Sequence, residues 1–331
     1  DEDGQGDHLL DQQGYQETTP AVCAKTARLV KWNVDVLTNL LKQIHARRDG
    51  TNVAPLEEEI NATSDETNLE EVKEIIHLPI FNGHTANPED VELDSVVLDQ
   101  LEDYVSAVAS MYRDNLFHNF EHASHVVMPV VKLLSRIVVP DIGEATRKDM
   151  ASTLHDHTYG ITSDPLTQFA CVFSALIHDA DHSGVPNSQL IKENFALAKV
   201  YKDKSVAEQN SVDLCWDLLM DSNFDDLRAA IFSTDDETKR FRQLVVNSVM
   251  ATDIMDKDLK TLRNNRWEKA FSDGACGHEE SKEDAVDRKA TIVIEHLIQA
   301  SDVSHTMQHW HVYRKWNARL FEEMYRAYVE G

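Results

Sequence analysis

At 331 residues, 42% of them hydrophobic, the chain can bury a substantial core as one large domain or two small ones. A formal net charge of −26 argues against a nucleic-acid polymer as partner, because phosphate neutralisation needs clustered Lys and Arg. A small phosphate ester remains open, since bound cations set the local field of a metal site, and no apolar run is long enough to span a membrane.

In chain order, residues 1–20 are rich in Gly, Gln and Asp and are expected to be poorly ordered. Asp1, Asp3 and Gly6 begin like a calcium loop, but Gln12 stands where a bidentate Glu is required, so that reading is rejected. From 24 to 48, Leu29, Trp32, Val36, Leu37, Leu40, Leu41 and Ile44 follow a 3.6-residue period. This amphipathic helix is expected to pack on the domain; the alternative is a dimerising stalk or a link to an upstream module. Residues 49–67, with Glu57, Glu58 and Glu59, read as an acidic linker.

A compact domain is expected over 68–331, with helical patterns at about 97–113, 118–138, 145–156, 165–180, 188–199, 205–219, 224–233, 237–252, 258–270 and 284–327. Asp164-Pro165 is a helix start, with Asp as N-cap and Pro first in the helix. Behind it Leu166, Phe169, Ala170, Phe173 and Ile177 form a buried stripe that delivers His178-Asp179 at the helix end. With no alternating strand pattern and only 11 Gly and 8 Pro, the fold class is all-α. Cys23, Cys171, Cys215 and Cys276 lack C-x-x-C spacing, which suits free thiols in a reducing compartment. Cys276 with His278, and the Asn61-Ala62-Thr63 sequon, read as incidental.

The chemistry lies in two histidine pairs, His118-Asn119-Phe120-Glu121-His122 and His178-Asp179-Ala180-Asp181-His182, the second followed by Gly184 and Asn187. Positions i and i+4 share a helix face, so each segment can aim two imidazoles into one cleft. Ser301-Asp302-Val303-Ser304-His305 adds a carboxylate within a long helical pattern. Burying so many polar groups unpaired costs roughly 1–3 kcal/mol each, whereas one divalent cation satisfies several. Asn187 is read as the cap of the next helix. His125, off the face of His122, is given no metal role.

These stretches, with Ser205-Val206-Ala207-Glu208 and Ala251-Thr252-Asp253, resemble the catalytic domain of the class I 3′,5′-cyclic-nucleotide phosphodiesterases among the HD-type metal hydrolases. The resemblance covers most of 69–331. It implies a compact multi-helix domain that hydrolyses cyclic AMP or cyclic GMP to the 5′-monophosphate and so ends a signal. His122, His178, Asp179 and Asp302 would bind a zinc-like ion. Asp179 would bridge to a magnesium or manganese ion, and a hydroxide between the two cations would attack phosphorus. His118 is similar to the general acid for the 3′ oxygen. His182, Glu208 and Asp253 would form the outer shell, and His118, Asp302 and His305 would face the substrate. The resemblance also implies a cytoplasmic location, or the cytosolic side of a membrane receptor.

Two departures stand out. Gln209-Asn210-Ser211 follows Glu208 where several members carry Asn-His-His, and Phe117 replaces a frequent Tyr. The chain stops 29 residues after Asp302, before the position at which the resemblance places the family's purine-clamping glutamine, so a domain truncated at its C-terminal end with weak base binding is the expectation. Two other readings stay open: another HD-type phosphohydrolase, which would want a Lys/Arg cluster near the site, and a metal-binding regulatory module without turnover.

Overall fold

Apolar periodicity sets the helices. The computed structural model describes residues 24–48, 68–79, 87–136, 153–271 and 281–330, and every regular element among them is helical. In order these are α1 (Ala24–Arg48), α2 (Asn68–Glu71), α3 (Ser95–Met111), α4 (Phe120–Arg136), α5 (Pro165–Ile177), α6 (Asn187–Lys192), α7 (Ala196–Val200), α8 (Val206–Met220), α9 (Asp225–Ile231), α10 (Asp235–Met250), α11 (Lys257–Phe271), α12 (Lys282–Asp302) and α13 (Trp310–Glu330). The calcium-loop pattern at 1–12, the acidic linker at 49–67, the sequon at Asn61, Cys23, and the Cys276/His278 pair lie outside the described residues, as does most of the pattern at 145–156.

Helix α5 is the axle of the domain. Its N-cap Asp164 accepts from Thr167 N, Pro165 opens the first turn, and its side chains are buried on all faces apart from Gln168. Around it pack α1, α4 and α10. Phe173 stacks on Tyr104 with ring centroids 5.6 Å apart and meets Phe241 of α10 edge-on at 5.4 Å. Each such ring contributes about 1.5–3 kcal/mol by leaving water. Phe173→Ala would cost about 3–5 kcal/mol, because the cavity cannot collapse.

Helix α1 belongs to this same core rather than projecting as a stalk. Val30, Leu37, Leu40, Leu41 and Ile44 are buried in it. Asn33 Nδ2 donates to Ser124 Oγ at 2.9 Å, while Arg47 Nη1 donates to the Ser163 carbonyl at 2.6 Å.

Three expectations need correction. The single helix expected over 284–327 is two: α12 ends at Asp302, a 3₁₀ segment runs Val303–Met307, and α13 begins at Trp310. The pattern at 188–199 divides into α6 and α7, with Glu193 closing the first. Asn187 does not cap α6, whose N-cap is Pro186; its side chain is engaged elsewhere.

Candidate metal centre

Neither histidine pair shares a helix. Helix α4 begins only at Phe120, because Asn119 Oδ1 accepts from His122 N at 3.1 Å and so terminates the helix backwards, as an N-cap does. His118 is therefore left in the preceding turn, with His122 in the first helical turn. His178 is the C-cap of α5, and His182 follows in a turn in which Asp181 has φ 60°. The i,i+4 spacing still brings the rings together, by helix ends rather than a helix face.

Four side chains converge. His122 Nε2 lies 3.0 Å from Asp302 Oδ1 and 3.6 Å from Asp179 Oδ2. His178 Nε2 lies 3.0 Å from Asp179 Oδ2 and 3.6 Å from Asp302 Oδ1. Both imidazoles are 1% exposed, a depth at which unpaired polar groups are costly. Yet His178 Nε2 and Asp179 Oδ2 find no partner in hydrogen-bonding geometry. Two nitrogens and two oxygens at such spacing, with orphaned atoms in their midst, fit a divalent cation. Ligand atoms of His122, His178 and Asp302 form one metal-sized group, and those of His118, Asp179 and His182 form a second.

Burial raises the Asp179 carboxyl, but the neighbouring charges of His178 and His118 outweigh it and hold the group well below the usual range. Asp302 behaves alike: burial is overcome by bonds to His122 and His178. Both are anions, ready to ligate.

His118 and His182 stack with centroids 4.0 Å apart, and their proton affinities diverge. Burial draws the His118 imidazole down, but Asp179 and Glu323 outweigh this and raise it. His182 is pushed to about 4, by burial and then by the charge on His118. His182 Nδ1 accepts from Gly184 N at 3.1 Å, which leaves its proton on Nε2. The two neighbouring rings thus move apart in proton affinity, a pattern found where acid and base roles divide.

Glu323 is the residue the sequence did not disclose. From α13 its carboxylate binds His118 Nδ1, and Oε2 accepts from Phe117 N at 2.6 Å and His118 N at 3.2 Å. It is 6% exposed on a helix that otherwise shows mostly exposed residues. Trp316, Leu320 and Glu323 recur at helical spacing, so a carboxylate on the inward stripe was the available signal.

Outer residues form a chain. Asn187 Nδ2 donates to Glu208 Oε2 at 2.8 Å and to Asp253 Oδ2 at 3.4 Å, and its Oδ1 accepts from Ala207 N at 2.9 Å. Asp253 also accepts from Ser205 Oγ at 2.7 Å and from Met255 N and Asp256 N. Burial, then the charge of Asp253, pushes Glu208 up to about 7. Asn210, at one of the departures, donates to Asp181 Oδ2 at 3.2 Å, and Arg113 Nε donates to the other oxygen at 2.7 Å.

His305 sits in the 3₁₀ segment, not one turn along a helix, and is buried. It meets Phe117 edge-on at 5.5 Å; Phe117 also meets His122 at 4.3 Å and Trp316 at 5.8 Å. His125 lies against Trp316 and Gln308, apart from both metal-sized groups. Glu121, beside His122, pairs with Lys25 of α1 and with Arg319 of α13 at 2.9 Å.

Residues 117–330, more than half of the chain, match the family model described as 3′5′-cyclic nucleotide phosphodiesterase. The chain belongs to the 3′5′-cyclic nucleotide phosphodiesterase family. A probable 3′,5′-cyclic-AMP phosphodiesterase, pde-4, of Caenorhabditis elegans is 29% identical over 228 residues, covering 67% of this chain and 29% of the relative. The human dual specificity calcium/calmodulin-dependent 3′,5′-cyclic nucleotide phosphodiesterase 1C is 25% identical over 227 residues, covering 64% and 30%. The chain thus spans under a third of these relatives' length. Two crystal structures of the Salpingoeca rosetta rhodopsin phosphodiesterase domain share its fold. One has a TM-score of 0.56 at 19% identity, covering 90% of this chain and 71% of that one. The other has 0.51 at 22%, covering 69% and 62%. The family's all-α catalytic fold is the one described above.

Proposed function

We propose that this phosphodiesterase-family chain hydrolyses 3′,5′-cyclic nucleotides, cyclic AMP or cyclic GMP, to nucleoside 5′-monophosphates and so terminates a signal. The observation that carries the reading is a four-residue His/Asp cluster beside an imidazole backed by a carboxylate. His122, His178, Asp179 and Asp302 would hold zinc, and Asp179 would share a hydrated magnesium or manganese ion, a division that follows ligand preference. Bound cations would lower the pKa of a water molecule and neutralise phosphate charge.

Everything else falls to the chain's own side chains. Glu323 engages His118 Nδ1, so the proton on Nε2 is free to pass to the departing ribose 3′ oxygen. General acids of this kind contribute about 10²–10⁴-fold. His182, kept neutral by burial and by the charge on His118, and Glu208, linked to Asp253 through Asn187, would orient ligands and water from behind. Phe117, His305 and Trp316 are buried and pack around His122, which holds that ring in place.

The test is metal analysis of the full-length protein together with assays on cyclic AMP and cyclic GMP in manganese. Release of 5′-monophosphate is expected. Binding of nucleotide without product would instead identify a regulatory module.

A further inference from the structure

Segment 112–118 reaches α4 as an irregular stretch, and three of its side chains cross to the segment that ends α5. Tyr112 Oη donates to the Leu176 carbonyl at 2.7 Å, and Arg113 Nε to Asp181 Oδ1 at 2.7 Å. Asn115 Nδ2 donates to the His118 carbonyl at 2.9 Å and to the His182 carbonyl at 2.7 Å. An amide nitrogen carries two hydrogens, and here each holds the backbone of one of the two stacked histidines.

The oxygen side of the same amide is confined by Gly184. A Cβ at that position would lie 2.9 Å from Asn115 Oδ1 and 3.3 Å from Cγ. The φ of +77° at Gly184 is also one that side chains avoid. Because Gly184 N–H donates to His182 Nδ1, the amide, the glycine and the second imidazole form one closed unit.

We propose that Asn115 is the positioning residue that fixes the face-to-face register of His118 and His182, and with it the direction in which His118 delivers its proton. The inference rests on the phosphodiesterase reading above. In that reaction water oxygen bonds to phosphorus and gives up one proton, the P–O3′ bond breaks, and the His118 Nε2 proton passes to O3′. The proton released by the water restores the His118 imidazolium through solvent. Two donors on one nitrogen set the separation of two carbonyl oxygens. Without them the His118 turn shifts relative to His182, and a displacement near 1 Å costs on the order of 10²-fold.

The experiment compares two phosphodiesters in the full-length protein, in wild type, Asn115→Ala and Gly184→Ala. A ribose 3′ alkoxide departs only with a proton, whereas p-nitrophenolate departs without one. Cyclic-nucleotide kcat is expected to fall roughly 10- to 100-fold in both variants, with KM held within about twofold. Cleavage of bis(p-nitrophenyl) phosphate should change less than about threefold, and zinc and manganese contents should stay at wild-type values. Equal losses on both esters, or loss of metal, would make Asn115 general scaffolding and overturn the proposal. So would Asn115→Ala that turns over cyclic nucleotide like wild type. A wild-type protein that cleaves no cyclic nucleotide refutes the function proposed above, and this inference falls with it.

Discussion

The Glu323 carboxylate and the His118 imidazole, 205 residues apart in sequence, form a direct Oε1–Nδ1 pair, and the same carboxylate takes the backbone N–H of both Phe117 and His118. One acidic side chain thereby fixes the ring orientation and backbone position of the proposed acid and, with Asp179, raises its proton affinity. Glu323→Gln keeps the shape but removes the charge that helps keep His118 protonated. Cyclic-nucleotide kcat should fall about 10- to 100-fold, within the range of general-acid contributions. Steady-state kinetics with parallel metal analysis checks it, and lost zinc would point to a structural effect instead.

His118 and His122 should separate cleanly. His122 approaches both Asp302 and Asp179, whereas His118 pairs with Glu323. His122→Ala is expected to lose bound zinc by elemental analysis. His118→Ala should keep it while hydrolysis slows about 10²–10⁴-fold. Zinc loss in the second variant would move His118 into the ligand set.

A pH-dependent stability follows from Glu208. Its carboxyl is pushed up to about 7 by burial and by Asp253, against 4.5 ordinarily. Between pH 4.5 and 7 the folded protein keeps a proton that the unfolded chain releases, so stability falls as pH rises through that window and stays lower above it. In metal-free protein Glu208→Gln should therefore stabilise by on the order of 2 kcal/mol at pH ~8 and much less at pH ~5. Thermal unfolding in chelator at the two pH values decides; an equal gain at both would falsify the assignment.

Away from the site, Arg266 and Glu295 form an ion pair at 2.5 Å, with side chains 3% and 2% exposed. Arg266 Nη2 also donates to the Val72 carbonyl at 2.8 Å, tying α11 to the chain after α2. Arg266→Ala strands the Glu295 carboxylate and should cost about 3–5 kcal/mol. Replacing both members with Met should recover much of that. Denaturant unfolding measures it, and a loss under about 1 kcal/mol would show the site to be more hydrated than its burial implies.

How much of this was legible in the sequence depended on how local the physics was. The bounds of α1 and the start of α5 followed from apolar period and from the Asp164-Pro165 cap, both of which act within one turn. The four candidate ligands were named through the family resemblance, and the structure brings His122, His178, Asp179 and Asp302 together. The break after Asp302 was not legible, since no Gly or Pro occurs in 303–309. The chain bends there because Asp302 meets His122 and His178 while α13 carries Glu323 back to His118. Within the bend Thr306 Oγ1 donates to the Val303 carbonyl at 2.7 Å, a local competitor to helix that sequence signals only weakly. Asn187 misled for the opposite reason: its type suggests a cap, but tertiary partners Glu208, Asp253 and Ala207 claim the amide.

The closing turns of α5 and α12 deliver His178-Asp179 and Asp302 to the same spot, so the carbonyl ends of two helices meet there. Aligned peptide dipoles leave about half a negative charge at such an end. The backbone itself therefore makes the spot electronegative before any side chain is counted. Neutralising one aspartate would leave that background pull intact, so affinity for a cation should weaken by degrees rather than vanish.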